Sequence, residues 1–78
     1  MESIIIDAYN LIHKVSELKI LLKQSQEVCV DSIIAKLENH FFNTRIKIVV
    51  AFDGLGKNKS HRNIEVKFAK TDVGMDYG

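Results

Sequence analysis

Asp7 and Asp53 each close a short apolar run. Ile4-Ile5-Ile6 leads into Asp7-Ala8-Tyr9-Asn10, and Ile46-Lys47-Ile48-Val49-Val50-Ala51-Phe52 leads into Asp53-Gly54. As parallel strands of one sheet, the two runs would deliver both carboxylates side by side to its C-terminal edge, where open α/β sheets hold their ligands. Paired carboxylates suit a hard divalent cation such as Mg2+ or Mn2+, which keeps much of its water and offers open positions to phosphate oxygens. Each acid also has a plainer reading: Asp7 as a turn start or helix cap, and Asp53-Gly54 as ordinary strand-to-turn punctuation.

The elements that must position these acids are readable from periodicity. Residues 3–7 form a compact isoleucine run of the kind found in buried parallel strands. Leu11, Ile12, Val15, Leu18, Leu21 and Leu22 recur at helical spacing, giving one helix, or a short helix plus a further turn, over residues 10–23. Ser25 is a candidate N-cap with Glu27 in the following turn. Val30, Ile33, Ile34, Leu37 and Phe41 then form an apolar stripe over a helix at 26–42 that stops near Asn43. Residues 46–53 read as a central strand, residues 54–60 as a polar loop, and residues 64–69 as an edge-like strand with one wetter face. Strand, helices, strand, strand favours an α/β fold with a mainly parallel sheet in three layers.

Three segments, in order, resemble the YacP-like NYN domains, a family of PIN-like metal-dependent ribonucleases. They are Ile5-Ile6-Asp7-Ala8-Tyr9-Asn10-Leu11-Ile12-His13, Val49-Val50-Ala51-Phe52-Asp53-Gly54 and His61-Arg62-Asn63-Ile64-Glu65-Val66-Lys67-Phe68. The resemblance spans nearly the whole of residues 1–78, read as a single domain, but only as the front portion of such a domain, incomplete at its C-terminus. Ala8 stands where the family usually has glycine, a mild change at negative φ and a strained one at positive φ.

The resemblance implies metal-dependent endonucleolytic cleavage of single-stranded RNA, with Mg2+ or Mn2+ as cofactor. Asp7 would be the central ligand, Asn10 would hold Asp7 or a water, and Asp53 would support. Counting on from Phe68 puts a further functional acid at Asp76, with Met75 where a small residue is usual; Asp72 or an acid beyond Gly78 are alternatives. Asn10 also reads as a plain N-cap. His61 and Arg62 match the family's basic pair. With Lys57 and Lys59 they lie in a stretch, Lys57 to Lys70, whose bases Lys57, Lys59, Arg62, Lys67 and Lys70 face the single acid Glu65. Such a stretch can hold phosphates or simply be solvated. The implied partner is RNA, with ribosome-associated mRNA as one form of it. A catalytically silent RNA-binding or protein-interaction module of the same fold is the alternative.

Composition limits what remains. At 78 residues the chain is at most one domain, and chains of this size bury only about 60% of their unfolded surface. A homo-oligomer joined through an uncovered sheet edge is one expected remedy. A net charge of +1 gives no global field toward nucleic acid. Cys29 is the only cysteine, which excludes an internal disulfide and any CxxC zinc motif. No leader pattern and no long apolar run is present, so the expected location is cytoplasmic, off the membrane. Gly54-Leu55-Gly56-Lys57 lacks the spacing of a phosphate-binding P-loop, and no Gly-rich turn follows the first strand, which argues against NTPase and dinucleotide folds.

Overall fold

The isoleucine run forms β1 (Ser3–Asp7), and the chain turns directly from it into α1 (Ala8–Lys14) in a computed structural model that describes residues 2–41 and 43–71. The apolar stripe that follows is split at Val15, whose extended backbone (φ −123°, ψ 105°) separates α1 from α2 (Ser16–Gln24). Of the alternatives over residues 10–23 the split one is realised, as two helices of which the first starts at Ala8. The break leaves few backbone groups unpaired: the Val15 N–H donates to the Ile12 carbonyl at 3.3 Å, and the Val15 carbonyl accepts from Leu18 at 3.0 Å. No glycine or proline marks it.

Ser25 caps α3 (Gln26–His40) as its sequence position predicts, accepting from the Val28 N–H at 3.3 Å. The chain leaves the helix through Phe41, and Asn43 takes the left-handed conformation at φ 71°. β2 (Lys47–Gly56) runs three residues past Asp53, with a register shift between Phe52 and Leu55. Part of the expected loop is a short strand, β3 (Lys59–His61), which forms a hairpin with β4 (Ile64–Thr71). Arg62 begins the turn of this hairpin at φ 56°.

The sheet order is β1-β2-β4-β3, with β1, β2 and β4 parallel and β3 antiparallel to β4. β4 is thus internal rather than an edge. Its wetter face, Glu65 and Lys67, reflects an open side of the whole sheet, because alternate strand residues point to opposite faces. Ile48, Val50, Phe52, Ile64, Val66 and Phe68 all point to one side and pack with Ala8, Ile12, Leu18, Cys29, Val30, Ile33 and Leu37 in a single core. On the other side Ser3, Ile5, Asp7, Lys47, Ala51, Asp53, Lys67 and Ala69 are exposed. The α/β class and mainly parallel sheet are as expected, and the described residues build two of the three layers. No helix among them is long and apolar enough to cross a membrane.

Candidate functional site

Asp7 ends β1 and caps α1, and both cap bonds fall on one oxygen. Oδ1 accepts from the Tyr9 N–H at 3.1 Å and from the Asn10 N–H at 3.4 Å. Among the described residues Oδ2 takes no hydrogen bond, so the cap and a ligand role draw on different atoms of one carboxylate. Asn10 is the third residue of α1 and donates its backbone N–H to this cap, so the cap position expected for it belongs to Asp7. Ala8 lies inside the helix at negative φ, fully buried, so the replacement of glycine there carries no strain.

Asp7 pairs with Ala51 across the β1–β2 ladder, and Asp53 lies two residues further along β2 on the same open face. The two acids line one shallow depression of about 540 Å³ together with Ile5, Ala51, Lys67, Phe68 and Ala69. Tyr9 sits behind it, packed edge-on against Phe52 at 5.7 Å between ring centroids. Neighbouring parallel strands therefore bring the two carboxylates to a common surface. Two carboxylates and open solvent are compatible with Mg2+, which binds through one or two acids and retains water. Among the described residues no group of three or more His, Cys, Asp or Glu is clustered closely enough to hold a metal ion. Asp76 and Asp72 lie outside the described residues.

Lys67 is the neighbour that the strand-end pattern passes over. From β4 it pairs with Ala51 of β2, so Asp7, Ala51 and Lys67 form one row across the open face. The alternation of Ile64, Val66 and Phe68 with Glu65, Lys67 and Ala69 contains this placement, once β4 is known to run parallel beside β2. Its Nζ is 3.9 Å from Glu65 Oε1, on which Lys47 also converges at 3.5 Å.

The basic residues singled out in the sequence do not gather beside the acids. Lys59 is ion-paired with Asp31 of α3, and His61 and Arg62 both reach Glu38 Oε2, at 3.1 and 3.3 Å. These contacts lie on the helix side of the sheet, the opposite side from Asp7 and Asp53. His61 pairs with Ile64 and Lys67 with Ala51, so His61 is also three strand residues, about 10 Å, toward the other end. Lys57 follows β2 at the acid end but lines a groove with Gln26, Glu27 and Phe68. A separate hollow of about 450 Å³ at the far end, lined by Leu37, Glu38, Phe41, Ile46, Arg62 and Ile64, contains no carboxylate pair.

A four-stranded, mainly parallel α/β sheet with Asp7 and Asp53 on one open face of adjacent strands is consistent with a fold of nuclease type. The chain matches the YacP-like NYN domain over residues 4–76 and belongs to that family. It is 31% identical over 81 residues to the protein named "Uncharacterized protein YacP" of Bacillus subtilis (strain 168), an alignment covering 97% of this chain and 48% of the relative. The chain thus spans about half the length of the curated relative it matches. No solved structure matches it significantly.

Proposed function

We propose that this chain carries the acidic edge of an endoribonuclease that hydrolyses single-stranded RNA with Mg2+ or Mn2+. One observation supports this above the rest: Asp7 from β1 and Asp53 from β2 line the same open depression. The family's nuclease-type fold supports it further, since nucleases of NYN and PIN type are generally dependent on divalent metals. A bound divalent ion supplies an activated water and neutralises charge on the phosphate. In this reading Asp7, held by cap bonds to Oδ1, leaves Oδ2 for the ion, and Asp53 adds a second oxygen ligand. Asp76 is the proposed third, and Asn10 steadies the Asp7 side. Lys67, in the same depression, meets the negative charge of the bound strand. Lys57, which follows β2 at the acid end, would guide the strand from further off, whereas Lys59, His61 and Arg62, paired with Asp31 and Glu38 on the helix side, do not face it. The setting proposed with this activity is the cytoplasm, with mRNA, including mRNA on the ribosome, among the substrates.

A second reading is a silent RNA-binding or protein-interaction module. It is favoured by the cation of Lys67 beside only two described carboxylates. Incubation of the protein with labelled single-stranded RNA and Mn2+, with and without chelator and beside an Asp7→Asn variant, separates the two. Cleavage that needs the metal and disappears in the variant supports the nuclease. Equal cleavage by both proteins overturns the metal mechanism. Salt-sensitive binding without cleavage, weakened by replacing Lys57, Lys59 and Arg62, favours the silent module.

A further inference from the structure

Asp53 sits at a break in the ladder that holds its strand. Phe52 pairs with Phe68 and Leu55 with Lys70, so Asp53 and Gly54 together stand opposite the single residue Ala69. Two residues facing one make a β-bulge, which bends its strand, re-aims a side chain and leaves the extra residue without a ladder partner. Pairing with β4 therefore does not by itself fix the direction of Asp53.

Tyr9 touches the bulge on both sides of that acid. Its ring packs edge-on against Phe52, the residue before Asp53, with centroids 5.7 Å apart at 76°. Its hydroxyl lies against Gly54, the residue after Asp53, 3.6 Å from where a Cβ would stand there. The Tyr9 backbone N–H donates to Asp7 Oδ1 at 3.1 Å. One half-buried residue in the first turn of α1 thus holds the first acid through its main chain and brackets the second through its side chain. Just past the bulge, the Gln26 side-chain amide donates to the Leu55 carbonyl at 3.3 Å and fastens the strand to α3. We propose that Tyr9 is a positioning residue, a strut from α1 that sets the Asp53 carboxylate relative to Asp7. This role rests on the reading of the two acids as ion ligands; the bracing of the bulge needs no ion.

Spacing explains why a strut matters. Asp7 pairs with Ala51, two residues before Asp53, so in a regular ladder the Cα atoms of the two acids would stand about 8 Å apart. Their carboxylates reach one ion only by leaning toward each other. Asp7 is already held by its cap bonds, which leaves the bulge as the place where the pair is adjusted. A tyrosine suits that place, because its rigid ring spans from Phe52 to Gly54 at the cost of few rotamers. Leucine would cover Phe52 and stop short of Gly54.

The test has one arm without metal and one with it. In the metal-free protein, amide relaxation by NMR should give Asp53 and Gly54 order parameters near about 0.85, falling toward about 0.6 in Tyr9→Leu while Val50 and Val66 stay ordered. Tyr9→Phe, which keeps a ring on Phe52, should restore most of that order. If leucine unfolds the chain by circular dichroism, Tyr9→Met takes its place, being unbranched and adaptable. In the second arm, calorimetric Mn2+ titration should show Tyr9→Leu weakening binding by roughly fivefold, but by less than about twofold in an Asp53→Asn background, because the strut acts through that acid. Unchanged order at Asp53 and Gly54 in Tyr9→Leu overturns the proposal, as does an equal loss of affinity in the Asp53→Asn background. A native protein that binds no Mn2+ sinks the ion-ligand reading instead, and the relaxation arm still decides the strut.

Discussion

The rings of Phe52 and Phe68 stack with centroids 4.6 Å apart at 20°, joining β2 and β4 on the core side of the sheet. Gly56 lies against the second ring: a Cβ built there would stand 2.4 Å from a Phe68 ring carbon. Gly56→Ala must therefore displace Phe68 and is expected to cost about 1–3 kcal/mol by denaturant melting. Gly54→Ala is the control, because its Cβ would meet only the Tyr9 hydroxyl at an ordinary 3.6 Å.

The helix cap made by Asp7 and the ion-ligand role proposed for it can be separated by two substitutions. Asparagine caps helices about as well as aspartate, so Asp7→Asn should hold stability nearly constant, whereas Asp7→Ala should lose about 0.5–2 kcal/mol. Both should abolish divalent-ion binding measured by calorimetry. Asp7→Asn retaining full ion affinity would remove Asp7 from the ligand set.

Ala8→Gly restores the residue usual in the family and should destabilise the chain by about 0.5–1 kcal/mol, because Ala8 is helical and fully buried. Thermal melting of the two proteins reads the difference. A rise in stability would mean that the alanine is strained after all.

Lys67 shares its depression with Asp7 and Asp53 and so opposes a divalent cation there. Removing it in Lys67→Ala should tighten Mn2+ binding by roughly threefold, a Coulomb effect softened by solvent at this open site. Unchanged affinity in a titration would place the ion elsewhere.

Burial pushes the Cys29 thiol above its ordinary value of 9.0. The unfolded chain ionises first, so the stability tied to this thiol is whole below pH 9.0 and is lost as pH climbs toward the folded value. A Cys29→Ala variant should show a shallower decline of melting temperature over that alkaline range. Alkylation of Cys29 in the native protein should proceed only as fast as the core opens, since the side chain is fully buried.

The parts of this fold that were legible in the sequence are those set by local chemistry. Ser25 and Asn43 bracket α3, and the runs ending at Asp7 and Asp53 mark β1 and the ladder-forming body of β2. The break at Val15 was not legible because the apolar stripe continues through it without a breaker residue. β3 was hidden because Lys-Ser-His has neither length nor apolar alternation. β4 looks like an edge because an edge strand and an internal strand with one open face leave the same alternating pattern. The pairing of Lys59, His61 and Arg62 with Asp31 and Glu38 depends on how α3 packs beside the hairpin, a long-range arrangement that no local spacing encodes.

Asp7 cannot swing freely, because turning its carboxylate would unhook the first turn of α1. Its aim is therefore inherited from folding rather than adjusted when something arrives. Loosening that first turn would blur the direction of the acid long before the rest of the domain melted, and with Asp7 as the proposed ion ligand it would surface as a dulled response to divalent ions in a protein that otherwise looks intact.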